Sequence, residues 1–135
     1  MHINIKNKTL TFGNYKAKCA IGKRGISKNK FEGDEKTPQG TFKVEYLLYR
    51  GDRNKSIKTK IKKKIIKKNM GWCDDVNSVH YNKLIKIKKK RKIKYEKMYR
   101  KDDKYDIVIP IHYNSFNPKK NKGSAIFIHL TKNYN

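Results

Sequence analysis

Tyr105-Asp106-Ile107-Val108-Ile109-Pro110-Ile111 and Ser124-Ala125-Ile126-Phe127-Ile128-His129-Leu130 are the two most apolar runs in the chain, and their reading decides the fold. Both read as buried strands bounded by polar turns. Pro110 has no N–H to give a ladder, so a bulge or an edge position is expected there. In the second run Ile126, Ile128 and Leu130 face one way, and Ala125, Phe127 and His129 the other. That alternation carries a titratable ring to the end of an apolar strand, ahead of a polar Thr-Lys-Asn-Tyr-Asn tail.

Outward from these runs the pattern stays β. Ile3, Ile5, Leu10 and Phe12 alternate with polar residues around Asn7-Lys8, which predicts an opening hairpin. Residues 15–21 alternate until Gly22 breaks them. Residues 22–40, rich in Gly, Lys, Asn and Asp, form a structured loop that ends on Thr37-Pro38-Gln39-Gly40. Residues 41–49, TFKVEYLLY, read as another strand. Two lysine-dominated tracts follow, at 50–69 and 83–94. Ile57, Ile61, Ile65 and Ile66 have a weak helical spacing, but β-branched residues and Gly51-Asp52 favour a ragged strand pair. The tracts read as solvated edges, where lysine discourages edge pairing, or as a polyanion-binding patch. Short helices are expected over 78–84 and 95–100. The class is therefore mainly β, a sandwich or barrel of six to eight strands with one or two short helices.

The 135 residues suit a single domain with room for a core. The net charge of +25 points to a polyanion partner. Composition offers another origin: Lys, Ile and Asn, all with AT-rich codons, supply 60 of the 135 residues, and there are only 5 Arg. Nucleic-acid readers rely on Arg for bidentate contacts, and neither lysine tract carries an aromatic ring for stacking bases. A specific nucleic-acid partner is therefore not expected, while non-specific polyanion binding in low salt is. Cys19 and Cys73 match no metal spacing and no disulfide framework. The N-terminus has no apolar signal core and no run approaches the roughly 18 residues of a membrane span, so the chain by itself reads as cytoplasmic.

Four segments carry a resemblance when taken in order. Residues 32–42, Glu-Gly-Asp-Glu-Lys-Thr-Pro-Gln-Gly-Thr-Phe, resemble the "EGD-x-x-T-P-x-G-x-F" signature of the L,D-transpeptidase (YkuD-type) catalytic domain. Gly71-Trp72-Cys73-Asp74-Asp75 with Tyr81-Asn82 resembles "GWCDD…YN" in one branch of that family. Glu96, Met98, Arg100, Asp102, Tyr105 and Asp106 resemble its "E-x-M-x-R-x-D-x-x-YD" segment. Tyr113-Asn114 with 123–129 resembles "YN…GSAIF-x-H". The match spans residues 15–130 and departs from the family pattern at the two lysine tracts.

The resemblance implies an L,D-transpeptidase-like β domain over 1–135 and a cysteine acyl-enzyme mechanism on peptidoglycan stem peptides. A thiolate attacks the carbonyl of a meso-diaminopimelate-type residue and the terminal D-alanine leaves. The side-chain amine of a second stem then takes the acyl group, closing a 3→3 cross-link. No metal or organic cofactor is needed, and the setting would be the periplasm or cell envelope. The motif implies His129 as general base, and Tyr113, Asn114 and His112 as residues lining the substrate cleft. The family nucleophile is expected thirteen to eighteen residues after that histidine, whereas Asn135 is six residues after His129. On this reading the domain lacks its C-terminal end and is inactive as it stands. Cys73 is a poor substitute because Asp74 and Asp75 oppose a thiolate, and Cys19 reads as a small buried hydrophobe. The alternative is a non-catalytic β domain that binds cell wall or polyanion.

Overall fold

The computed structural model describes residues 2–89 and 92–132. Twelve short strands make up the described fold: β1 (Ile3–Lys6), β2 (Thr9–Phe12), β3 (Tyr15–Lys18), β4 (Ile26–Ser27), β5 (Thr37–Pro38), β6 (Tyr46–Tyr49), β7 (Lys62–Ile65), β8 (Met70–Cys73), β9 (Leu84–Lys86), β10 (Tyr95–Lys97), β11 (Ile107–Pro110) and β12 (Phe127–His129). The chain is mainly β, as expected, and the described strands close no barrel. They form a β1-β2-β3 meander, a β10-β8-β9 sheet, a β12-β11-β6-β7 sheet and a two-residue β4-β5 pair. The expected short helices are absent among the described residues. Residues 75–83 are turns, and 95–97 pair with β8 instead. Tyr95 and Glu96 sit opposite Cys73 and Trp72, so cross-strand pairing overrides a weak local helical spacing.

The opening hairpin turns at Asn7 and Lys8, both with positive φ (50° and 56°), which matches the strand twist of a two-residue turn. The core lies between the two larger sheets. Leu48 of β6 and Val108 of β11 meet Trp72 of β8, with Ile66, Met98 and Tyr105 filling in around them. Trp72 and Phe127 touch edge to face at 4.9 Å, joining β8 to β12.

Both apolar runs become strands, at different depths. β11 is interior, between β12 and β6. Its pairing with β6 stops at Val108↔Leu48 and resumes at an isolated Val44↔Ile111 bridge. Three residues on β11 thus face four on its neighbour, a bulge beside Pro110, which has no N–H to donate. β12, expected to be buried, is an edge strand, and His129 and Leu130 are exposed. Ala125 bends the chain with φ +54° just before it, so only three residues of the run pair with β11. The first lysine tract supplies β7, the opposite edge of the same sheet. All four of its residues are exposed, and it runs parallel to β6. Charged edges of this kind oppose pairing with another chain.

Candidate functional site

Asn82 is the centre of the polar architecture. Its side chain is buried, and its Oδ1 accepts from the Trp72 indole N–H (2.9 Å) and the Ala125 backbone N–H (3.0 Å). Its Nδ2 donates to the carbonyls of Tyr113 (2.9 Å) and Asn114 (2.7 Å). One amide therefore makes four bonds and ties β8 to the turn after β11 and to the entry of β12. Its backbone has φ +56°, a conformation asparagine tolerates better than most residues. Sequence reading placed Asn82 in a motif without giving it a role. The available signal was a Tyr-Asn pair at the end of a polar segment, which does not reveal distant partners.

The loop at 22–40 is anchored by a second buried group. Lys30 and Asp34 form an ion pair with both side chains almost fully buried, and the Lys30 ammonium also donates to the Lys36 carbonyl at 2.6 Å. Asp34 accepts the backbone N–H groups of Phe31 (3.2 Å) and Lys36 (3.0 Å). Burial pushes the Asp34 carboxyl up, but the Lys30 ammonium and the two N–H donors outweigh it and hold it below the usual carboxylate range. Gly123, at φ +93°, packs against this pair: a Cβ there would lie 3.2 Å from Lys30 Cε and 3.4 Å from the Tyr113 ring. The Tyr81 hydroxyl donates to the Glu32 carboxylate, and the Glu32 N–H reaches the Asn121 carbonyl. Burial and the Glu32 carboxylate both raise the Tyr81 hydroxyl well above its ordinary range.

The segment over 96–106 closes the other side of the core. Met98 is fully buried, the Tyr105 hydroxyl donates to Glu96, and Arg100 holds Asp102 through 2.8 and 2.5 Å bonds. Arg50 joins it by donating to the Arg100 carbonyl (2.5 Å) and stacking 3.6 Å over the Tyr99 ring.

The expected site residues fall into two groups. His112, Tyr113 and Asn114 lie together at the end of β11 held by Asn82. The Tyr113 hydroxyl donates to the Lys122 carbonyl (2.8 Å), and its ring meets Phe42 edge-on at 5.6 Å. The Asn114 amide is engaged within its own loop: Nδ2 donates to the carbonyls of Lys119 (3.0 Å) and Gly123 (2.9 Å), and Oδ1 accepts the Lys119 N–H (2.8 Å). His112 lines a cavity of about 170 Å³.

His129 stands elsewhere, opposite Val108 at the far end of the β11–β12 ladder. Val108 and His112 are four positions apart in the chain, about 13 Å at roughly 3.3 Å per residue for an extended backbone. The alternation expected of the strand holds: Phe127 and His129 share a face and both meet the Tyr105 ring, at 5.9 and 5.5 Å. His129 Nδ1 lies 2.8 Å from the Leu130 carbonyl, and a carbonyl only accepts, so Nδ1 carries the hydrogen. In the neutral ring this leaves Nε2 free to take a proton.

Neither cysteine is placed to be a nucleophile for His129. Cys73 is fully buried in β8, its backbone paired with Lys83 and Asn82. Cys19 follows β3 in the N-terminal meander, and burial pushes its thiol up. Beside Cys73, burial raises the Asp74 carboxyl, with Lys94 partly offsetting it. Among the described residues, no group of three or more His, Cys, Asp or Glu side chains could hold a metal ion, and no helix is long and apolar enough to cross a membrane. No protein-family model, no curated protein and no solved structure matches the chain.

Proposed function

We propose that the chain is an L,D-transpeptidase-like acyltransferase domain that engages the stem peptides of peptidoglycan in the cell envelope. The observation that carries this reading is the convergence of three of the four signature segments on one network, with the fourth, 96–106, paired to β8 by its backbone. Glu32 meets Tyr81, Asn82 holds Trp72, Tyr113, Asn114 and Ala125, and Gly123 packs on Lys30. Chance resemblances scattered along a chain have no reason to share one hydrogen-bond network. A stem laid along the open edge of β12 would gain main-chain bonds beside His129 as an added strand does, and the part of it that crosses the end of β11 would meet His112, which lies on the β6 side.

In the acyl-transfer step that the resemblance implies, His129 Nε2 would take the proton of a cysteine thiol that neither Cys19 nor Cys73 supplies. The thiolate would form the thioester as the C–N bond breaks, and His129 would return the proton to the amine of the departing D-alanine. With Cys73 sealed in the core and Cys19 in the meander, the described residues offer the base and the peptide-binding edge of that reaction. Exchange of labelled D-alanine into tetrapeptide stems, measured on the chain extended by a segment that carries a Gly-Cys turn, tests the catalytic half. Exchange that is lost in His129→Ala supports the assignment, and exchange that persists removes His129 from it.

The second reading, a wall or polyanion binder without chemistry, is favoured by the fully exposed lysine edge of β7 in a chain of charge +25. Sedimentation with purified sacculi separates the two. Stem recognition predicts pelleting that survives about 0.5 M salt, whereas charge-driven adhesion is lost steeply with salt.

A further inference from the structure

We propose that Ser115, His112 and Glu45 form a second, serine-based acyl-transfer site that does not use His129 and lies at the His112 end of the proposed stem cleft. Ser115 Oγ lies 3.3 Å from His112 Nδ1, and His112 Nε2 lies 3.4 Å from Glu45 Oε2. The Glu45 carboxylate beside Nε2, at ion-pair range, favours the tautomer with the ring hydrogen on Nε2. In the neutral ring Nδ1 is then unprotonated and accepts the Ser115 hydroxyl. Nucleophile, base and orienting carboxylate thus stand in the order that activates a serine. The two spacings are slightly long, as they are in many such sites without a bound substrate.

The arrangement is held by the fold. The Val44↔Ile111 bridge and the bond from the His112 N–H to the Lys43 carbonyl (2.8 Å) carry Glu45 alongside His112. Phe116 stacks on the imidazole at 4.8 Å from its own exposed position. His112 and Ser115 both line the cavity of about 170 Å³, whose other walls include Tyr46, Trp72, Leu84 and Lys83. That volume is below the roughly 300–1,000 Å³ of drug-sized ligand sites. Its aromatic and aliphatic wall suits a short acyl chain, with the remainder of the substrate outside. Lys83 also lines the cavity, and its positive charge would favour a developing oxyanion there. The substrate class is therefore a short-chain carboxylic ester.

Ser115 Oγ attacks the ester carbonyl as His112 Nδ1 takes the hydroxyl proton. The Oγ–C bond forms, the C–O bond to the alcohol breaks, and the same proton passes to the departing alkoxide. Water, deprotonated by His112, then releases the acid and restores the serine. Ser115 and His112 are the catalytic residues, and Glu45 is a positioning residue.

An alkyl fluorophosphonate probes the serine directly, because its phosphorus takes the same attack with loss of fluoride. Mass spectrometry of the treated full chain should place one adduct on Ser115. The adduct should be absent in Ser115→Ala and kept in Ser56→Ala, an exposed serine outside the cavity. Labelling and hydrolysis of p-nitrophenyl acetate should slow by at least about 100-fold in His112→Asn. Glu45→Gln should slow them less, and Glu45→Asp should recover part of the loss by keeping the charge. Matching thermal melts keep each comparison free of folding effects. A wild-type chain that takes no adduct, or that is labelled at other serines while Ser115 stays free, overturns the proposal.

Discussion

The N-terminal meander and the region around Asn82 are built in opposite ways. β1, β2 and β3 pair by backbone ladders alone, and none of their residues is buried. Around Asn82 and the Lys30–Asp34 pair, polar groups are taken out of water, and those of Asn82 find partners far away in sequence. The first kind of structure tolerates change because water can replace what a substitution removes. The second does not, because each buried donor or acceptor left alone costs its full desolvation.

The largest contrast should come from Asn82→Ala. It orphans the Trp72 N–H, the Ala125 N–H and two carbonyls. At about 1 kcal/mol or more each, the loss reaches about 4 kcal/mol, close to the whole stability of a small domain. A thermal melt should lose its cooperative transition. Asp34→Asn comes next, at about 3 kcal/mol in a urea titration at pH 7, because it leaves the Lys30 ammonium buried without a counter-charge. The sign of its pH dependence follows from the depressed carboxyl. Asp34 contributes stability in full above its unfolded value, near 4, and that contribution fades as pH falls through the lower folded value. The gap between wild type and Asp34→Asn should therefore narrow below about pH 4.

In the meander, Ile5→Ala should cost only about 1 kcal/mol, since the side chain is already 39% exposed. The smallest effect is expected at Lys64→Gln on β7. Its ammonium sits 4.3 Å from the Tyr46 ring centre, an exposed cation–π contact worth about 0.5 kcal/mol. The same change should lower the salt slope of duplex binding by about one ion if Lys64 touches phosphate.

The meander was legible in the sequence because hairpins rest on local signals: period-two alternation and a turn at Asn7-Lys8. The two apolar runs were legible as strands for the same reason, and the bulge at Pro110 followed from a missing donor. Depth was not legible. Ser124-Leu130 reads as buried, yet it lies on an edge, since its neighbours are set by contacts far away in the chain. The helices expected over 78–84 and 95–100 gave way to turns and to pairing with β8, where Trp72 and Cys73 offered partners that local spacing does not register. At the site, the side His129 faces could be read from alternation, but its separation from His112 could not. Nor could Asn82, whose four partners lie ten to forty-three positions away.

The central claim is that the edge of β12 and the end of β11 take a stem peptide. It is tested most directly by titrating a synthetic tetrapeptide stem into ¹⁵N-labelled protein and following the amide shifts. The account predicts saturable shifts concentrated at His112, Tyr113, Asn114 and residues 127–130, and little changed by 0.3 M salt. Shifts confined to the lysine edge that vanish with salt, or no shifts at millimolar peptide, would contradict it.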